Sequence, residues 1–219
     1  MMEIFPHNEN HDFDLELVLQ ALKRCPAGGG DIDLREYLVA YNELCRFFKM
    51  TGRLFGFVAK DLEHKISAIE RKQNSDEGQH YTTAEKMIQF EINSPSLVHK
   101  GQNKRSHSGT RTLLRLHWAL EFILEFMSRM SKCSDHERTS KIATEVYEQT
   151  LSKYHPWLTR KMAAIAVYLL PSRKDLIHVM CKQDYQTVLQ LLDKVVDAGK
   201  RVYDLIENIY RDHNLHNIP

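Results

Sequence analysis

Short proline- and glycine-bearing breaks divide the chain into long stretches whose apolar residues recur every three or four positions, and that spacing commits it to helices. Asp12 or Asp14 is placed to cap a first helix through Leu15, Val18, Leu19 and Leu22, which stops at Cys25-Pro26-Ala27-Gly28-Gly29-Gly30. Asp31 or Asp33 opens a second through Tyr37, Leu38, Tyr41, Leu44, Phe47 and Phe48, ending near Gly52. A third runs from about Leu54 to Lys72. A short fourth starts at Thr82 or Thr83, passes Ile88 and ends at Asn93-Ser94-Pro95. The same pattern predicts a fifth from about Thr110 to Met130, a sixth from Ser134 to Tyr154 and a seventh from Pro156 to Leu170. A short helix follows Pro171, and a last one covers roughly Tyr185 to Asp212. No strand pattern and no internal repeat is visible. The breaks are evenly spread, so the expected fold is one all-α domain over residues 1–219, with an ordered core of about 12–213.

The formal net charge of +1 is too small for a polyanion binder that works by bulk charge, which argues against nucleic acid as a partner. Any anion recognition must be local. Cys25, Cys45, Cys133 and Cys181 form no C-x-x-C pair, which argues against a zinc site or a disulfide framework and fits a reducing, cytosolic compartment. The first residues show no secretory pattern. The longest apolar run, Met162 to Pro171, is about half of the ~20 residues a membrane span needs, so a soluble chain that meets membranes only at their surface is expected. No G-x-S-x-G, phosphate-cradling glycine loop, H-E-x-x-H or defensible Cys–His pair is present. The chain is therefore expected not to be an enzyme and to need no metal or nucleotide cofactor.

Two helices place charge where an amphipathic helix should not. The apolar stripe of the third helix is Phe55, Val58, Leu62, Ile66 and Ile69, and its wet face carries Lys60, Glu63, His64, Ser67, Glu70 and Arg71. Asp61 and Lys65 lie four apart on the other flank of that stripe, near Phe57. The fifth helix has Leu113, Leu116, Leu120, Ile123 and Met127 as its stripe, with Arg111 and Arg115 on the flank beside Ala119, Phe122 and Phe126. From Ile92 to Leu120 there is no acid, while Lys100, Lys104, Arg105, Arg111 and Arg115 are present, with His99, His107 and His117. A basic stretch feeding a helix N-terminus suits an anion, and arginine suits phosphate. The alternative is that Asp61 pairs with Arg111 or Arg115 and simply locks two helices together.

Leu54-Phe55-Gly56-Phe57-Val58-Ala59-Lys60-Asp61-Leu62-Glu63-His64-Lys65, Ser108-Gly109-Thr110-Arg111-Thr112-Leu113-Leu114-Arg115 and Tyr154-His155-Pro156-Trp157 resemble the signature segments of the glycolipid transfer protein superfamily. The similarity runs over nearly the whole chain. It implies a two-layer sandwich of helices enclosing a pocket for lipid chains. It further implies that Asp61 accepts from a ceramide amide N–H and that His155 donates to the acyl carbonyl. Lys65, Arg111 and Arg115 would bind a phosphate head group, with Arg105 a weaker candidate from the preceding loop. Members that carry sugar-headed lipids have tryptophan where this chain has Arg115, so the expected cargo is ceramide-1-phosphate, with glycosphingolipid as the alternative. Trp118 is a poor substitute platform, sitting about 60° further round the helix.

Phe47, Leu54, Phe55, Phe57, Val58, Leu120, Phe122 and Phe126 could line a lipid sleeve, or form an ordinary core. Trp157, with Arg160 and Lys161 close by, suits transient docking at a membrane interface, the alternative again being a core residue. The expectation is a monomeric carrier that moves this lipid between membranes. A helical scaffold that senses phosphorylated lipid without moving it is the alternative from another class.

Overall fold

The computed structural model describes residues 13–51, 55–92 and 108–218, and its elements are helices α1 (Leu15–Arg24), α2 (Leu34–Met50), α3 (Gly56–Gln73), α4 (Ala84–Ile92), α5 (Gly109–Lys132), α6 (Thr139–Gln149), α7 (Trp157–Tyr168), α8 (Arg173–Met180) and α9 (Tyr185–Asp212). Single turns of 3-10 helix stand at Gly28–Gly30, Gly78–Tyr81 and Ser152–Tyr154. Only isolated bridges break the all-α pattern among the described residues.

Local chemistry sets most helix starts. The Asp14 carboxylate accepts from Leu17 N–H, Asp33 from Arg35 and Glu36 N–H, Ser172 from Asp175 N–H, and Asp184 from Thr187 N–H. Each side chain satisfies donors that the first helical turn leaves without a partner. α6 begins at Thr139, five residues after the Ser134 predicted from periodicity. The reason is tertiary. The Asp135 and Glu137 carbonyls accept from Lys174 and Arg173 N–H, and Thr139 N–H donates to the Pro171 carbonyl, so residues 135–139 are held as a strap against the start of α8. Buried Arg173 fastens the same strap, donating to the Met130 carbonyl at the end of α5 (3.1 Å) and pairing with Asp135.

The helices pack in two layers around a shared core, with α5 touching α3, α4, α6 and α9, and α1 bridging α2 and α9. α5 and α9 approach closely at Gly199, where a Cβ would collide with a Leu124 methyl. Tyrosine hydroxyls cross-brace the layers: Tyr41 donates to the Leu116 carbonyl and Tyr210 to the Thr110 carbonyl (2.5 Å). This packing holds α5 rigidly between α3 and α6, so that the Arg115 flank faces the Asp61 and Lys65 flank. Among the described residues no helix is long and apolar enough to cross a membrane.

Candidate functional site

Two cavities open behind that flank and share Phe48, Phe55, Phe122, Ile123 and Val167 as walls. The outer one, about 430 Å³, lies between α3, α5, the Ser152–Pro156 segment and α7. That volume is within the usual range of ligand pockets. Asp61, Lys65, Arg115, Trp118, Tyr147, Tyr154 and His155 line it beside Phe57 and Val58. The inner one, about 90 Å³, is walled entirely by apolar residues, among them Phe47, Phe126, Met127, Leu176 and Val188. A polar, cation-bearing mouth thus leads into a greasy interior.

Asp61 and Lys65 form an ion pair within α3, one turn apart. Asp61 is the exposed partner at 64% and Lys65 the sheltered one at 16%, so the carboxylate keeps most of its hydration and needs no arginine to neutralise it. The ion pairs among the described residues include none between Asp61 and Arg111 or Arg115, which removes the helix-locking alternative. Arg115 is exposed on the cavity wall, and no carboxylate lies within ion-pairing distance of it among the described residues. Arg111, half-buried one turn earlier, is not part of that wall.

His155 sits opposite, half-buried, with its Nδ1 2.9 Å from the Tyr147 hydroxyl. Burial holds its imidazole below the ordinary value, against the pull of Asp61 and with help from Lys65. The ring is therefore neutral at neutral pH, with one N–H to offer. Trp118 stacks face to face on Tyr154 (centroids 3.8 Å, 1° between planes), with Lys153 over the outer side of Tyr154. One face of that indole is thus covered, which weakens it further as a sugar platform.

Three expectations require correction. The start of α5 is not open to a ligand anion, because the buried carboxylate of Glu91 already fills it. Glu91 accepts from the Ser108 hydroxyl (2.5 Å), Gly109 N–H (2.8 Å), Thr110 N–H (2.9 Å) and Tyr81 hydroxyl (3.1 Å), with Lys72 at 3.4 Å. His117 takes no part in an anion seat either. It is buried on the far side of α5, stacked on Tyr203 and 2.8 Å from Glu207. Leu120 is fully buried in the core and lines neither cavity. Leu54 and Arg105 lie outside the described residues.

Trp157 is 64% exposed, which rules out the core reading. With Leu158, Met162, Ile165, Tyr168 and Leu169 it forms an apolar strip along α7, next to the mouth, and Lys161 lies over its ring at 5.8 Å. Among the polar wall residues, Tyr147 was not foreseen and Tyr154 was named only as a helix end and as part of the Tyr154–Trp157 segment, with no contact assigned to it. Both occur at helical spacing, and that pattern alone does not separate a cavity wall from a core.

A helical sandwich with a cationic mouth over an apolar interior defines a lipid carrier. The profile of the family described as "Glycolipid transfer protein (GLTP)" matches residues 32–182, and the chain belongs to that family. Within it, the ceramide-1-phosphate transfer protein of Mus musculus is 31% identical over 210 residues, 95% of this chain and 97% of that protein. The crystal structure of the mouse protein in its apo-form superposes with a TM-score of 0.86 at 32% identity, covering 94% of this chain and 100% of that one. The human protein in complex with 12:0 ceramide-1-phosphate does so with a TM-score of 0.86 at 28% identity, covering 94% and 100%.

Proposed function

We propose that this chain carries ceramide-1-phosphate between membranes, holding the lipid with its phosphate at the mouth and its chains in the interior. The observation that carries this reading is Arg115 and Lys65 on the wall of one cavity that opens onto apolar walls. In the proposed complex Arg115 grips two phosphate oxygens with its planar fork, Lys65 contributes a second positive charge, and Arg111 approaches from one turn behind. Asp61 accepts the amide N–H, and His155 donates to the acyl carbonyl. Most of the affinity comes from chain burial at ~0.8 kcal/mol per CH₂, while the polar mouth selects the head group. The 90 Å³ interior holds only about three waters' worth of space, so entering chains must part its aromatic walls. The carrier works as a monomer in the cytosol, touches membranes transiently through the α7 strip, and performs no chemistry on its cargo.

The test is transfer between vesicles. A trace of protein is expected to move labelled ceramide-1-phosphate rapidly and galactosylceramide poorly, with unlabelled galactosylceramide failing to compete. Preference for galactosylceramide would overturn the phosphate seat, and binding to donor vesicles without transfer would favour the sensor. In the same assay Trp157→Ala is expected to cut both vesicle binding and transfer severalfold, because an exposed indole anchors at the lipid interface. Unchanged transfer by this variant would place membrane docking elsewhere.

A further inference from the structure

We propose that Tyr147 is a positioning residue for the cargo: its hydroxyl donates to Nδ1 of His155 and thereby fixes the ring's single N–H on Nε2. This rests on the reading of His155 as donor to the cargo carbonyl and supplies what that reading lacks, a reason for the donor to be in place before the lipid arrives. A neutral imidazole carries its proton on either nitrogen, and the partner of one nitrogen decides the state of the other. The Oη–Nδ1 distance is 2.9 Å. Among the described residues the Tyr147 hydroxyl has no other hydrogen-bond partner, so within the protein its proton is directed only at Nδ1. Burial raises the Tyr147 phenol above its ordinary value, only partly offset by Arg160, so it keeps that proton throughout the neutral range. The ring is also held still. Tyr147 is 8% exposed on α6, meets Phe122 edge to face (6.4 Å, 81°), and lies 5.7 Å from the His155 ring. Both side chains line the outer cavity. The opposite tautomer would present a lone pair to the carbonyl oxygen, leaving two acceptors face to face.

The experiment is ¹⁵N–¹H correlation of the histidine rings in the full chain, with the His155 signals assigned by their loss in His155→Gln. The wild-type ring is expected to show a protonated Nε2 and a bare, hydrogen-bonded Nδ1. Tyr147→Phe, which keeps the aromatic packing, is expected to give a mixture of tautomers. It is also expected to weaken ceramide-1-phosphate binding by roughly two- to tenfold, the worth of one ordinary hydrogen bond. A proton on Nδ1 in the wild type, or identical ring signals in the phenylalanine variant, would overturn the proposal. A changed ring with unchanged affinity would instead overturn His155 as the cargo donor, which separates the two claims. A merely structural tyrosine would leave the tautomer where it was.

Discussion

Replacing Arg115 by leucine is expected to slow ceramide-1-phosphate transfer by roughly 30- to 150-fold while leaving thermal stability unchanged. The magnitude follows from losing a charge-assisted, bidentate phosphate contact worth about 2–3 kcal/mol. The lack of a stability effect follows from position: Arg115 is exposed and has no carboxylate partner among the described residues, so the folded state loses nothing that the unfolded state keeps. Arg115→Lys is expected to recover only part of the activity, because an ammonium offers charge without the fork. Transfer rates beside a melting curve check both halves. A variant that transfers normally would remove the phosphate seat, and one that melts early would make Arg115 structural.

The second large effect concerns Glu91, where the expected loss is of stability. Glu91→Ala strips one buried carboxylate from two backbone N–H groups, two hydroxyls and Lys72, all of which stay in place. Removing one side of such a buried network costs about 3 kcal/mol or more, a fall in melting temperature of roughly 6–12 °C for a chain of this size. The pH dependence has a definite sign. Burial pushes the Glu91 carboxyl up, but the hydrogen bonds from Ser108, Thr110 and Gly109 outweigh it and leave it below its ordinary value. A carboxyl depressed on folding contributes stability that is present above its unfolded pKa and is lost as pH falls through the folded one. Denaturation followed from neutral to acid pH is thus expected to show a steeper acid limb in the wild type than in Glu91→Gln. Equal limbs would mean that the carboxylate is not ionised in its socket.

The contrast between these two residues shows what the sequence could and could not disclose. Arg115 was legible because a cation beside Ala119 and Phe122 breaks the helical pattern, and such a break needs a reason that periodicity alone does not supply. Asp61 and Lys65 stood out likewise, but their mutual pairing did not, since a one-turn spacing is equally compatible with partners on a neighbouring helix. Glu91 was invisible. It is one acid at the end of a short helix, and only the folded chain brings it to Ser108, seventeen residues on. The helices with aspartate caps could be read from local chemistry, whereas the late start of α6 is imposed by carbonyls recruited to residues 173 and 174. Leu120 and Phe122 looked alike as candidates for the sleeve. One is buried in the core and the other lines both cavities, a difference of helix rotation set by how α5 docks on α3 and α9.

The cavity is expected to hold one ceramide-1-phosphate in preference to related lipids. Native mass spectrometry, after incubation with vesicles holding equal amounts of ceramide-1-phosphate, ceramide, galactosylceramide and phosphatidic acid, tests it most directly. The expected spectrum shows a one-to-one adduct with the mass of ceramide-1-phosphate, lost in Arg115→Leu. A dominant adduct of any other lipid in that mixture, or a protein that stays empty, would contradict it.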